Sequence, residues 1–128
     1  MQAYWYIPRL KRGEWALFLV DTGASGTSIN GKRAVALQPF MRPTTIERGI
    51  GAGGETPGSY TEWATITLRD DADQLLPLRA KIGVQYIPPT QITNPSILMV
   101  PPLLGRNILR RCVFRYAHSR KEATLTFL

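Results

Sequence analysis

The amino-acid sequence predicts a mostly β fold in a single domain that spans residues 1–128. Residues that favour turns recur about every dozen positions along the chain. The segments between them are short, rich in β-branched and aromatic residues, and often alternate apolar with polar positions. This pattern is typical of short strands in a half-buried sheet. No internal repeat, low-complexity tract or linker divides the sequence.

The segment Tyr60–Arg69 illustrates the alternation, because Ala64, Ile66 and Leu68 fall on one face of an extended strand. Applied along the whole chain, the pattern predicts strands at Ala3–Pro8, Glu14–Val20, Thr44–Arg48, Tyr60–Arg69, Leu76–Tyr86, Ile97–Val100, Val113–Ala117 and Ala123–Leu128. It also predicts two short helices, Gly31–Leu37 and Asn107–Cys112. The second carries arginines near its C-terminal end, where cations suit the helix dipole.

Composition excludes several classes of protein. Apolar residues make up 44% of the chain and charged residues 20%, which favours a folded domain over disorder. No stretch approaches the roughly 18 to 20 apolar residues of a membrane span, and no signal peptide is visible, so we expect a cytoplasmic protein. With one cysteine, Cys112, and one histidine, His118, we expect no disulfide, metal or cofactor.

The charge balance is basic, with 16 lysines and arginines against 9 acidic residues, a net charge of +7. The cations are scattered over three regions, Arg9–Arg12, Lys32–Arg33 and Arg106–Arg120. No series of aromatic residues lies between them to form a base-stacking platform. We therefore interpret them as solvated surface and do not expect nucleic acid as the main partner.

The most informative segment is the apolar run Trp15–Val20, which leads into Asp21 and a loop of small residues that ends at Thr27. A carboxylate delivered by a buried strand needs hydrogen-bond donors around it, and glycine lets backbone N–H groups come close. The arrangement suits a functional acid. The structural alternative is an ordinary Asx turn, in which Asp21 accepts hydrogen bonds from its own loop.

Asp21-Thr22-Gly23-Ala24 after an apolar strand resembles the active-site motif of the retropepsin-like aspartic proteases. Three further segments resemble features of that family in the same order. These are a glycine-rich flap at Gly49–Gly54, a two-apolar-plus-glycine motif before an arginine-containing helix at Leu103–Arg111, and a closing C-terminal strand at Ala123–Phe127. The resemblance implies a single-lobe closed β-barrel or sandwich with a flap hairpin, one or two short helices, and a homodimer.

The sequence departs from that family at one contact. Retroviral members often carry an acid two residues after the glycine of the motif, whereas this chain has Ser25. That acid would pair with the arginine of the later helix, here Arg106. Two alternatives for Arg106 are therefore open: another acid, or backbone carbonyls.

Hydrolysis of a peptide bond by this chemistry requires two carboxylates that share one proton. The chain contains a single motif of this type, because Asp70, Asp71 and Asp73 belong to a polar segment that we interpret as a solvated hairpin turn. A two-fold axis would bring Asp21 and its symmetry mate to about 3 Å. The resemblance implies catalytic roles for Asp21 and for its neighbours Thr22, which would bond across the dimer, and Gly23, whose carbonyl would meet the substrate.

We expect an extended peptide or protein substrate to bind beneath the flap. The residues assigned to substrate binding are Ala24, Ile50, Gly51, Ala52, Gly53, Val84 and Leu103. The flap glycines have a phosphate-loop alternative, but no Gly-Lys-Ser/Thr follows and Glu55 would repel phosphate. We interpret Cys112 and the three tryptophans as packing residues and His118 as an exposed turn residue.

Three other interpretations compete with an active endopeptidase. The first is a catalytically inactive dimerisation or peptide-binding module with the same fold. The second is a nucleic-acid-associated protein that uses the net charge of +7. The third is that the chain is one domain of a longer polypeptide.

Overall fold

The computed structural model describes residues 1–42, 46–51, 54–117 and 122–127. The ten strands and three α-helices of these residues confirm the predicted mostly β class. In chain order they are β1 Gln2–Ile7, β2 Arg12–Leu17, β3 Leu19–Val20, β4 Ser28–Ile29, α1 Gly31–Leu37, β5 Ile46–Gly51, β6 Gly54–Arg69, β7 Leu75–Gln85, α2 Pro95–Leu98, β8 Leu103–Leu104, α3 Arg106–Leu109, β9 Cys112–Ala117 and β10 Glu122–Phe127. None of these helices is long and apolar enough to cross a membrane.

The main sheet has the strand order β2-β1-β6-β7-β4-β8-β3, and β5 pairs with the N-terminal part of β6. Only Phe18 separates β2 from β3, so both ends of this order come from one extended stretch of chain. The N–H of Phe18 donates to the carbonyl of Met1 at 2.8 Å, and the next N–H, of Leu19, donates to Pro102 at 2.9 Å. The stretch thus passes from the β1 side of the sheet to the β8 side, and the sheet curls around its core.

The core lies on the inner face of this curled sheet. Along β6, Ala64, Ile66 and Leu68 are buried at alternate positions, as the period of two predicts. β7 pairs with β6 in antiparallel register and also buries its alternate residues. Further fully buried side chains fill the interior from other elements: Phe18, Ile29, Leu104 and Ile108.

The hairpin turn between β6 and β7 carries the polar aspartates. Oδ1 of Asp70 accepts hydrogen bonds from the N–H groups of Ala72 and Gln74, at 2.9 and 2.8 Å. Asp71 and Asp73 are exposed to solvent. The interpretation of this segment as a solvated hairpin is confirmed.

The structure corrects two predicted elements. Ile97–Val100 is not a strand, because α2 occupies Pro95–Leu98. Its start is fixed by Asn94, whose side chain accepts a hydrogen bond from the N–H of Ser96 at 3.0 Å, and by a proline in the first turn.

The second correction concerns the helix predicted at Asn107–Cys112. The helix is the shorter α3, and Cys112 already pairs with Phe127 as the first residue of β9. Thr44 and Leu128, at the ends of two predicted strands, lie outside the described residues.

Truncation of Ile66 tests the core. Ile66→Ala is expected to lower the free energy of unfolding by about 2–5 kcal/mol, because the fully buried side chain would leave a cavity opposite Leu78. Leu75→Ala is the matched control on the neighbouring strand, where the leucine is 54% exposed, and should change it by less than about 0.5 kcal/mol. Urea denaturation measures both, and similar losses would contradict this description of the core.

Candidate active site

Asp21 is placed by the sheet itself. It follows β3, which runs parallel to β8 with Leu19 opposite Leu103 and Val20 opposite Leu104. The N–H of Asp21 continues this ladder and donates to the carbonyl of Leu104 at 2.9 Å. The backbone of Asp21 is therefore fixed, while its side chain is only partly buried.

The carboxylate of Asp21 accepts one hydrogen bond from the residues that the structure describes. Oδ1 accepts the N–H of Gly23 at 2.9 Å, and the Asp21 carbonyl accepts the N–H of Ala24 at 3.3 Å. A Cβ atom at position 23 would lie 3.2 Å from Oδ1, so glycine suits this tight turn. No other donor among the described residues reaches the carboxylate, which leaves Oδ2 open to water or to a second acid.

The Asp21 loop, residues 21–27, is joined to the segment 104–107 by backbone hydrogen bonds. The N–H of Arg106 donates to the carbonyl of Ala24 at 2.8 Å, and that of Asn107 donates to Ser25 at 3.1 Å. These two N–H groups belong to the first turn of α3, which has no intrahelical acceptor for them. The loop carbonyls thus accept the N–H groups that the helix leaves unpaired, and the same hydrogen bonds hold the loop in place.

Thr27 makes a second connection between the same segments. Its side chain is 1% exposed, and its Oγ1 accepts the N–H of Gly105 at 3.1 Å and donates to Oδ1 of Asn107 at 2.8 Å. Its carbonyl accepts the N–H of Gly83 in β7 at 2.9 Å. One buried hydroxyl therefore connects the loop to α3, and the adjacent carbonyl connects it to the main sheet.

The loop and the second segment also touch through their backbones. A Cβ atom at Gly105 would lie 2.2 Å from the carbonyl oxygen of Gly26, far inside van der Waals contact. Only glycine permits this approach at position 105. At Gly26 itself the space beside Cα is open. The glycine of the second motif is therefore required by packing.

Arg106 resolves the question left open by Ser25. Its Nη1 donates to the carbonyls of Thr22 and Gly23, at 3.2 and 3.3 Å. Of the two alternatives, backbone carbonyls are the partners, and no salt bridge to Arg106 occurs in the described part of the chain. The guanidinium thus braces the Asp21 loop through two backbone carbonyls.

The residues assigned to substrate binding fall into three groups. Ala24 lies in the Asp21 loop and Leu103 in β8, and both are partly buried. Val84 is fully buried in the core, so its side chain is inaccessible to a substrate and its predicted lining role gains no support. Ile50 and Gly51 lie in β5, opposite Glu55 and Gly54 of β6, where a hairpin was expected. Ala52 and Gly53 lie outside the described residues.

Two residues of the site were not predicted from the sequence, Thr27 and Asn107. Each is an ordinary polar residue in its own segment, and they meet across 80 positions of chain. The only sequence signal is their proximity to the two motifs. Within residues 1–42, 46–51, 54–117 and 122–127, no group of three potential metal ligands comes together.

Comparison with protein-family models and with curated proteins gives no match to this chain.

Replacement of Thr27 tests the connection between the Asp21 loop and α3. Thr27→Val keeps the shape but removes the hydroxyl, which leaves the N–H of Gly105 without its acceptor and Asn107 without its donor. We expect a loss of about 2–4 kcal/mol in the free energy of unfolding. Thr27→Ser keeps both hydrogen bonds and is expected to cost about 1 kcal/mol for one methyl group. If serine and valine are equally destabilising in urea, the hydroxyl does not hold the loop.

Cys112 behaves as a packing residue. Its thiol is 7% exposed and lies 3.8 Å from the carbonyl of Ile108. Burial raises the pKa of the Cys112 thiol, with Arg111 acting weakly in the opposite direction. A raised pKa lowers the fraction of reactive thiolate, which argues against a nucleophile.

Alkylation of Cys112 provides a direct check. At pH 8 iodoacetamide should label the folded protein at least about a hundredfold more slowly than the protein in guanidinium chloride, since labelling requires opening of the core. Comparable rates would contradict the buried position.

The same raised pKa contributes stability at neutral pH that is lost as the pH rises through the thiol's pKa in the folded state.

Proposed function

We propose that this protein is an aspartic endopeptidase of the retropepsin type, with a closed barrel and a flap hairpin, and that it acts as a homodimer. The observation that carries the proposal is the position of Asp21. Its backbone is fixed by the β3–β8 ladder and by a loop hydrogen-bonded to the segment 104–107, while one carboxylate oxygen remains open. A rigid frame around an accessible acid is what general acid–base chemistry requires.

The proposed reaction needs Asp21 from two copies of the chain. One carboxylate, ionised, takes a proton from a water molecule as its oxygen attacks the peptide carbonyl carbon. The other, protonated, gives its proton to the carbonyl oxygen. When the intermediate collapses, the C–N bond breaks, the first carboxylic acid gives its proton to the amine nitrogen, and the second carboxylate takes a proton from a hydroxyl of the gem-diol as the carboxylic acid product forms. The pair returns to its original state with one shared proton.

The surface beside the loop supports association with a second copy. Thr22 and Gly23 are exposed, so the tip of the Asp21 loop is available to a partner loop. Leu17 and Leu19 precede Asp21 at alternate positions on the same extended stretch and are 62% and 56% exposed. Large exposed apolar side chains next to a polar site favour a protein or peptide contact at that place.

One observation favours a second candidate function. The hydrogen bond from the N–H of Gly23 to Oδ1 of Asp21 is the contact of an Asx turn, which uses the acid to shape its own loop. An inactive module that keeps the fold to dimerise or to bind peptides would need no more than this.

Asp21→Asn separates the two candidates. Asparagine keeps an oxygen for the N–H of Gly23, so the loop should remain folded, but it cannot exchange a proton. Cleavage of an unfolded protein substrate, measured between pH 4 and 7, should fall at least about a hundredfold. Asp71→Asn, the same change on an exposed aspartate of the β6–β7 turn, should leave cleavage unchanged.

The dependence on protein concentration tests the dimer. Below the dissociation constant of the dimer, the rate should rise with the square of the protein concentration. Sedimentation should show dimers for the wild type and for both variants. If all three are folded dimers and equally inert, Asp21 is a structural acid and the inactive module is the better description.

A further inference from the structure

A cavity of about 620 Å³ lies away from the Asp21 loop, between the β1–β2 hairpin and α1. β1 contributes Trp5, the hairpin contributes residues 11–14, and α1 contributes residues 32, 33, 36 and 37. No residue of 21–27 or 103–107 lines it. Cavities of roughly 300–1,000 Å³ are the size that holds a small organic ligand.

The lining carries four cations and one carboxylate. Lys11 and Arg12 come from the hairpin, Lys32 and Arg33 from the start of α1, and the acid is Glu14. Glu14 is already engaged, since its Oε1 lies 2.6 Å from Nε of Arg33. Three positive charges of the lining are therefore not neutralised by an acid within the cavity.

The four cations are not equally constrained. The guanidinium of Arg12 lies 4.2 Å from the centre of the Phe40 ring, which holds it at the cavity edge. Lys11 and Lys32 form no ion pair among the described residues and are exposed. Lys11 also has a positive φ of 51°, a conformation more typical of glycine or asparagine in a tight turn. Lys11 therefore has a left-handed backbone conformation that glycine or asparagine would adopt at lower cost.

The cavity wall also contains an indole without an acceptor. Trp5 is 4% exposed, and its Nε1–H has no hydrogen-bond partner within the part of the chain that the structure describes. A buried donor without an acceptor is destabilising. The nitrogen itself is shielded from solvent, so Trp5 contributes a wall of the cavity and not a donor to a ligand.

We propose that this cavity binds a small phosphate-bearing molecule of nucleotide size. Guanidinium groups bind phosphate through paired N–H donors, and lysines add point charge. Both types of cation converge here from two separate elements, around a volume too small for a folded partner. A single carboxylate would leave much of this charge unused, so several phosphate charges fit the lining better. The site is independent of Asp21 and of the proposed peptidase.

Calorimetric titration with inorganic pyrophosphate and with ADP tests the proposal. The wild type should bind both at one saturable site per chain. The double variant Lys11→Gln/Lys32→Gln should bind at least about tenfold more weakly, because two cations of the lining are lost. The matched control, Lys81→Gln/Arg110→Gln, removes the same charge from exposed positions outside the cavity and should change affinity less than about twofold. Thermal unfolding of all variants checks that they remain folded.

Three outcomes would overturn the proposal. The first is that neither probe binds saturably. The second is that both double variants weaken binding of the probes equally. The third is that a single-stranded oligonucleotide binds more tightly than the probes and that both double variants weaken its binding equally. The last would indicate a diffuse nucleic-acid surface. Asp21→Asn should bind both probes as the wild type does, so loss of peptidase activity and loss of this site are separately observable.

Discussion

The contact between the backbones of Gly26 and Gly105 is the constraint on which the rest of the candidate site depends. The two segments approach so closely that a single added carbon at position 105 would overlap the carbonyl of Gly26. This approach brings the hydroxyl of Thr27 within reach of the Gly105 N–H and of Asn107, and it aligns the first turn of α3 with the loop carbonyls.

This arrangement gives a short loop the rigidity of a secondary-structure element. Each end of the loop belongs to a sheet ladder, its middle is bonded to the start of a helix, and Arg106 braces its outer carbonyls. Rigid support of this kind is what keeps a functional group within the narrow geometry that chemistry requires. The arginine serves this purpose through backbone acceptors, so no acid at position 25 is needed to anchor it.

Local signals were sufficient where an element depends on its own residues. α1 begins and ends where the sequence predicts, and the alternation in β6 identifies its buried face. The prediction failed at Ile97–Val100, where apolar residues suggested a strand but the cap at Asn94 and the following proline determined a helix. The Thr27–Asn107 hydrogen bond could not be predicted, because it depends on the register of segments 80 residues apart. The cavity between the β1–β2 hairpin and α1 was not predicted for the same reason, since its cations are scattered along the sequence and meet only where these two elements pack together.

The pairing of β3 with β8 has a consequence for the newborn chain. Leu19 and Val20 are synthesised 84 residues before their partners Leu103 and Leu104. At roughly 5–20 residues per second, about 4 to 17 seconds pass before the partner strand has been made. During that interval the apolar stretch that leads to Asp21 is an unpaired strand edge, open to misplaced pairing with other chains. Asp21 therefore acquires its frame only after Leu103 and Leu104 have left the ribosome.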